Sequence, residues 1–333
     1  MEKVIVAIPT FNNLKFTKMC VTSIRENTTI PYELLIIDDC STDGTVEWVK
    51  EQGINLIEHK DNFGICYTMN DMYDYAWEKD KNAILIIVQT DTLMYSRALD
   101  ELVRGMVSTN YDCLGACEVN IQDFVKAFPR YSSLFLTKSC EECEDKHYAT
   151  LVVDDFPQYK EYEVKIDKIF RVIDQYPIFT KMGTSALTLF AVRKSFKDKV
   201  GYFDANFFPL YYCDNDYLFR ASNTLNVRMG GVASSWYFHF QAATMNELHV
   251  KKIINKHNEL NAMYYTQKWG GMPREETYRT PFNAENKYKG ISSEKNILSL
   301  LQNTANINIF NRDYEHGAIR MWKNAVREDG RVI

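Results

Sequence analysis

Between residues 3 and 118 the chain repeats one phrase: a short, almost continuously apolar run, then a segment of helix length, then another apolar run. The runs are "KVIVAI" (3–8), "ELLIID" (33–38), "INLIEH" (54–59), "NAILIIVQ" (82–89) and "CLGACEV" (113–119). Apolar runs without polar alternation suit strands covered on both faces, and the stretches near 14–26, 42–52, 65–79 and 96–107 have helix length. Strands alternating with such helices indicate parallel βαβ units, hence an α/β fold with a mostly parallel sheet flanked by helices. The second helix has its start signal in "CSTDGTVEW", where Ser41 or Thr42 can cap and Glu47 lies in the first turns.

From about 120 to 180 the period dissolves into acidic and aromatic stretches, "CEECEDKH" and "LVVDDFPQYKEYEV", which read as an insertion. Regular patterning returns at "TSALTLFAVRKSF" (184–196), a strand running into a short helix, and continues with a helix near 214–223 and extended chain over 226–240. A long helix is expected near 246–267, with Val250, Ile253, Ile254, Leu260, Met263 and Tyr264 near one stripe, stopping at "WGG". The expected organisation is a main domain over 1–245, with a first half over 1–118, the insertion over 120–180 and a second half over 183–245, followed by a C-terminal helical extension over 246–333.

Net charge is −5, so no global positive field draws the chain onto nucleic acid or membranes. The longest apolar runs are far too short to span a bilayer, and "MEKVIVAIPT" is not a secretory signal, so a cytoplasmic protein without an integral membrane segment is expected. Eight cysteines fit that compartment as free thiols. Cys113/Cys117 and Cys140/Cys143 have spacings that a structural zinc uses, with His147 nearby. The first pair falls in an apparent strand, however, where both read as small hydrophobes of one face.

In an open parallel sheet, ligands lie outside the carboxyl ends of the strands, where loops converge. The informative residues are therefore "PTFNN" (9–13), with Pro9, Thr10, Phe11 and Asn12, then "DDCSTDG" (38–44) and "QTDT" (89–92). Asp43 reads best as a turn or cap residue, which Asp favours anyway. Asp91 does not: an acid directly after a buried strand sits in the crevice, where charge is costly without a partner. Neither G-x-G-x-x-G after the first strand nor G-x-x-x-x-G-K-[ST] anywhere is present, so a dinucleotide site and a lysine-bearing phosphate loop are unsupported. A diphosphate here would need another neutraliser, and a divalent cation held by Asp91 suits that need.

These residues carry a resemblance. "VIVAIPTFNNLKFTKMCVTSI" followed by "YELLIIDDCSTDGT" resembles the opening of family 2 glycosyltransferases of the GT-A fold. "DNFGICYTMNDMYDYA" resembles the family's Asn-x-Gly…Asn element, with Asn62, Gly64 and Asn70 in place, and "QTDT" occupies its D-x-D slot. "GTSALTLFAVRKSFKDKVGYFDANFF", beginning Gly183, Thr184 and Ser185, is similar to the acceptor-side segment and Gly-x-Phe-Asp turn. "YYCDNDYLFRA" matches the Glu-Asp-x-Asp helix start, and "SSWYFHF" the strand that ends in a metal-binding histidine. The likeness covers about 3–118 and 183–241, and the order and spacing of the motifs carry it.

The resemblance implies roles: 1–245 would be the catalytic domain, 1–118 its nucleotide-binding half and 183–245 its acceptor and catalytic half. Pro9, Phe11 and Asp39 would line the nucleoside pocket, with Asp39 accepting from a uracil-like base edge. Thr10, Asn12, Asn62, Gly64, Asn70, Gln89 and Thr90 would complete the donor side. Asp91 and His239 would hold Mn2+ or Mg2+ against the diphosphate. Asp214 would be the general base in a single inverting displacement that transfers a hexose or pentose to an acceptor hydroxyl. Gly183, Thr184, Ser185 and Tyr212 would lie on the acceptor side, and Asp216 would hold the helix start or a sugar hydroxyl. Trp269, Arg274 and Arg279 form a candidate lid over the donor. Two positions depart from the pattern: the first acid of the D-x-D slot is Gln89, and the Glu of the Glu-Asp pair is Cys213.

The resulting expectation is a transferase using a nucleoside-diphosphate sugar, uridine-linked, on a glycan or glycoconjugate acceptor. Open alternatives are a protein or a hydroxylated nucleobase in DNA as acceptor, and a sugar-nucleotide or glycan-binding module without turnover. A nucleotidyltransferase would need a Gly-rich, lysine-containing loop after the first strand, which "PTFNN" is not.

Overall fold

A computed structural model of the 333-residue chain describes residues 2–95, 97–119 and 187–239, most of 258–269, and two short ladders. The first half runs β1 (Val4–Thr10), α1 (Leu14–Asn27), β2 (Glu33–Asp38), α2 (Thr45–Glu51), β3 (Asn55–Glu58), α3 (Ile65–Lys79), β4 (Ile84–Val88), β5 (Thr92–Met94), α4 (Ala98–Ser108) and β6 (Cys113–Val119). The ladders pair β7 (Thr137–Lys138) with β8 (Thr150–Leu151), and β11 (Arg312–Asp313) with β12 (Ala318–Ile319). Between them lie β9 (Leu189–Val192), α5 (Lys194–Val200), α6 (Cys213–Asn223) and β10 (Met229–His239). The described residues of 258–269 are helical.

Eight strands form one sheet in the order β3-β2-β1-β4-β9-β6-β10-β5. The chain has an α/β fold with a mostly parallel sheet, as expected: β3, β2, β1 and β4 are parallel, and β6 and β10 are parallel to each other. Two strands run against this direction. β9 is antiparallel to both β4 and β6, and β5 is antiparallel to β10. The apolar runs gave no sign of β5, because three residues carry no period.

The strands are apolar throughout because both faces are covered. Ile5, Ala7, Leu35, Ile37, Leu85 and Ile87 enter one core layer; Val4, Val6, Ile8, Ile36, Ile84, Ile86 and Val88 enter the other. The first layer is closed by α3, α5, α6 and by Tyr264, Tyr265 and Trp269, and the second by α1 and α4. Tyr264, Tyr265 and Trp269, from the stretch read as a C-terminal helical extension, thus pack into this core layer. α2 begins at Thr45, later than the expected 42. Neither Ser41 nor Thr42 caps it. Its N-cap is Gly44, and Asp43 just before it holds the turn, its Oδ1 accepting from the Thr45 N–H and Oγ1 while its Oδ2 takes the Leu14 N–H at the start of α1.

Candidate active site

The parallel strands end at one edge, and their following loops are bound to one another. The Asp39 N–H donates to the Thr10 carbonyl (2.8 Å), and Asn12 Oδ1 accepts from the Thr42 N–H (2.7 Å). Asn12 adopts φ +45 to do this, which Asn tolerates better than most residues. Pro9 and Thr10 are buried and Phe11 half-buried, while Asn12 is exposed and laces two loops together. Asp38, fully buried, has its Oδ2 without a hydrogen-bond partner among the described residues, and burial pushes its carboxyl above the usual range.

Asp39 is nearly enclosed. Its Oδ1 accepts from the Phe63 N–H (2.9 Å) and bonds His59 Nδ1 (2.8 Å); its Oδ2 accepts from the Gly64 N–H (2.8 Å). Gly64 has φ +83, and a Cβ there would meet Phe208 and the Pro209 backbone at 2.9–3.1 Å, so only glycine fits. The same turn passes the Ile65 N–H to the Pro209 carbonyl (2.9 Å), tying the Asp39 loop to the segment before α6. Asn62 Oδ1 is buried with no partner among the described residues. Asn70 departs from its expected donor contact. It is fully buried on α3, donating to the Phe203 carbonyl (3.0 Å) and accepting from the Phe203 N–H (2.8 Å), which makes it a staple between chain segments.

The turn 89–92 closes on itself, Thr92 Oγ1 donating to the Gln89 carbonyl (2.6 Å), while Gln89 Nε2 reaches the Leu187 carbonyl (3.4 Å). Thr90 and Asp91 are buried. The antiparallel register of β5 on β10 sets Thr92 opposite His239, so His239 Nε2 lies 3.3 Å from Asp91 Oδ1. The parallel pairing of β10 with β6 brings Glu118 to the other side, Oε1 lying 3.4 Å from His239 Nδ1 but off the line of a hydrogen bond. Burial disfavours the imidazolium, yet Asp91 and Glu118 prevail and lift His239 to about 9.

No group of three His, Cys, Asp or Glu among the described residues is arranged to hold a metal ion, and the described residues bring Asp91 and His239 together here. Those two fit the chemistry. Neighbouring ligands on an octahedral ion at about 2.1 Å stand roughly 3 Å apart, and a carboxylate with an imidazole suits Mn2+ or Mg2+. Cys113 is buried on β6 and Cys117 half-buried, both as free thiols, while Cys140 and Cys143 lie outside the described residues.

Asp214 stands in the first turn of α6, half-buried, with no side-chain partner among the described residues. Desolvation raises its carboxyl above the ordinary range, against two backbone N–H groups that lower it. The turn before it is strained: Tyr211 and Tyr212 have φ +73 and +63, where bulky side chains rarely sit. Asn261 holds that turn by donating to the Leu210 carbonyl (2.7 Å) and the Phe208 carbonyl (3.1 Å), and Tyr212 packs on Tyr265.

Asp216 is engaged wholly inside the protein. Its Oδ2 accepts from Arg220 Nε (3.0 Å), and its Oδ1 from Trp269 Nε1 and Lys268 Nζ (2.8 and 2.7 Å). Lys268 also pairs with Asp204 (2.7 Å), whose carboxyl it holds below the usual range against burial. Trp269 is 1% exposed in this network, a core residue and not part of a surface cover as expected. Arg274, Arg279, Gly183, Thr184 and Ser185 lie outside the described residues. Cys213 is buried in the same core layer as Cys66, whose thiol burial pushes well up. A glutamate at 213 would bring its carboxylate into that apolar layer.

Sequence reasoning missed His59, Glu118, Asp204, Asn261 and Lys268. A polar residue inside an otherwise apolar run, such as His59 closing "INLIEH" or Glu118 in "CLGACEV", was the available signal for two of them.

Similar solved structures include S. aureus TarS residues 1–349 (17% identity, TM-score 0.45, 77% of this chain and 65% of that one). The mannosyltransferase PcManGT from Pyrobaculum calidifontis in complex with GDP-Man and Mn2+ gives 16% identity, TM-score 0.49, and 81% and 66% of the two chains. Glucosyl-3-phosphoglycerate synthase from Mycobacterium tuberculosis, with Mn2+, UDP and glucosyl-3-phosphoglycerate, gives 10%, 0.47, and 81% of each chain. The chain thus spans just under two thirds of the first two proteins' chains. No curated protein sequence matches it. The model of the family described as "Glycosyl transferase family 2" matches residues 5–192, more than half of the chain, and the protein belongs to that family.

Proposed function

We propose that the chain transfers a sugar from a uridine-diphosphate sugar to a hydroxyl of a glycan or glycoconjugate, with inversion, and that Asp214 is the general base. One observation carries this reading: Asp214 has a desolvated carboxyl, without a side-chain partner among the described residues, at the head of a helix tied to the Asp39 loop. A carboxylate engaged in holding the fold, such as Asp216, has no oxygen to offer a substrate.

Asp39 contacts the base edge in this reading, and Pro9 and Phe11 line the pocket beside it. Asp91 and His239 would hold Mn2+ or Mg2+, which when bound neutralises the departing diphosphate. Asp214 takes the proton of the acceptor hydroxyl as that oxygen forms its bond to the anomeric carbon. The carbon's bond to the diphosphate oxygen breaks on the opposite face, so the configuration inverts and the nucleoside diphosphate leaves.

The test is a panel of nucleotide sugars with Mn2+, scored for release of the nucleoside diphosphate by the purified chain. Release from a UDP-sugar, lost in Asp214→Asn while UDP still binds, is the expected result. Unchanged release in that variant would remove Asp214 from the base role.

A further inference from the structure

His59 follows β3 directly and is bonded on both ring nitrogens, Nδ1 to Asp39 Oδ1 and Nε2 to Asp71 Oδ2, each at 2.8 Å. It is 8% exposed, with Phe63 and Tyr67 edge-on to the ring at 5.3 and 5.4 Å. Burial opposes a charge there, but the two carboxylates outweigh it and lift His59 to about 9, so both N–H groups donate near neutral pH. This is a costly arrangement for a residue serving only to close a loop.

Its consequence lies in the count of acceptors. A carboxylate offers about four lone-pair positions, two on each oxygen. On Asp39, His59 and the Phe63 N–H occupy both positions of Oδ1, and the Gly64 N–H occupies one of Oδ2. Among the described residues, one acceptor position remains. Uracil presents a single N–H between two carbonyl oxygens and matches it. Guanine presents two neighbouring donors, one of which would go unmet, and cytosine turns a ring acceptor toward the carboxylate. Unmet or opposed polar groups in a closed site weaken binding steeply.

We propose that His59 is a positioning residue that sets nucleobase selectivity, by filling one oxygen of Asp39 so that the carboxylate accepts from a base with one edge N–H. The proposal rests on the reading of Asp39 as the base contact and extends it to a residue outside the pocket wall.

The test compares Kd for UDP, GDP and CDP with Mn2+ by calorimetry, using the full chain and thermal melts to verify folding. Two substitutions divide the ring. In His59→Asn the amide nitrogen stands near Nδ1 and keeps the bond to Asp39. In His59→Gln it stands near Nε2, toward Asp71, and abandons Asp39. The parent chain is expected to prefer UDP over GDP and CDP by about tenfold or more, as one charged hydrogen bond is worth. His59→Asn keeps that preference, and His59→Gln reduces it about tenfold, a change that general loosening of the fold would not make because it weakens all three ligands together. Equal selectivity in a folded His59→Gln, or equal loss in both variants, overturns the proposal. Asp39→Ala separates the two levels: if it leaves UDP affinity unchanged, the base contact itself is wrong. If it weakens UDP while His59→Gln preserves selectivity, only the role of His59 falls.

Discussion

A carboxylate can act as a base on a hydroxyl only if an oxygen is open and its proton affinity has been lifted toward the working pH. Among the described residues Asp214 meets both conditions, whereas Asp216, two residues on, has both oxygens engaged and fails the first. Burial raises the Asp214 pKa above 3.8, so on acidification the base form is lost earlier than from a solvated aspartate. The acid limb of kcat/KM for sugar transfer is therefore expected to break at a pH above 3.8. Asp214→Asn should lower kcat by about 10²–10⁴-fold, the range for losing a general base, with UDP affinity little changed. A limb that keeps its position in Asp214→Glu and Asp214→Asn alike would assign it to another group.

At the scale of elements, the loop after β2 and the turn before α6 are joined through one glycine. Gly64→Ala combines a positive φ with backbone contacts near 3 Å, so it should cost about 1–3 kcal/mol in a urea titration. It should also weaken UDP, because its N–H is one of the donors fixing Asp39. A variant that lost stability without touching UDP affinity would separate this turn from the pocket. Elements of this size are what the sequence reveals best. The runs at 33–38 and 113–119 and the helix at 65–79 were legible to the residue, since each carries its own period or length. β5 was not, because its three residues are defined by pairing with β10 and not by their own pattern. The same division holds in the site. The places of Asp91, after a strand, and of Asp214, at a helix head, were legible from the pattern. His59, Glu118 and Asn261 were not, because their partners lie 12 to 121 residues away and only the folded sheet brings them together. Asn70 misled for the same reason: the sequence shows an amide near a glycine turn but not the Phe203 backbone on which it closes.

Over the whole molecule, the decisive question is whether the catalytic unit ends before the last helix. The sequence invited a boundary at 245, where the strand pattern stops. The packing argues otherwise. Tyr264, Tyr265 and Trp269 complete the same core layer as α3, α5 and α6, and Lys268 lies fully buried between Asp204 and Asp216. Removing one partner from such a cluster leaves buried charge uncompensated, so Lys268→Met should cost about 3–5 kcal/mol. The cost should appear as a lowered urea midpoint in every probe, since the cluster joins the loop at 204–206 to the helix carrying Asp214. Cutting the chain after 245 goes further. It strips the bonds of Asn261, Lys268 and Trp269 at once and leaves Phe207, Phe219 and the strained Tyr211–Tyr212 turn without their cover. Such a fragment is expected to keep helical signal in the far ultraviolet but to bind an apolar dye and to melt without a cooperative transition. A sharp melt close to that of the full chain would show instead that the first 245 residues fold alone, and that the last helix only rests on a core already complete.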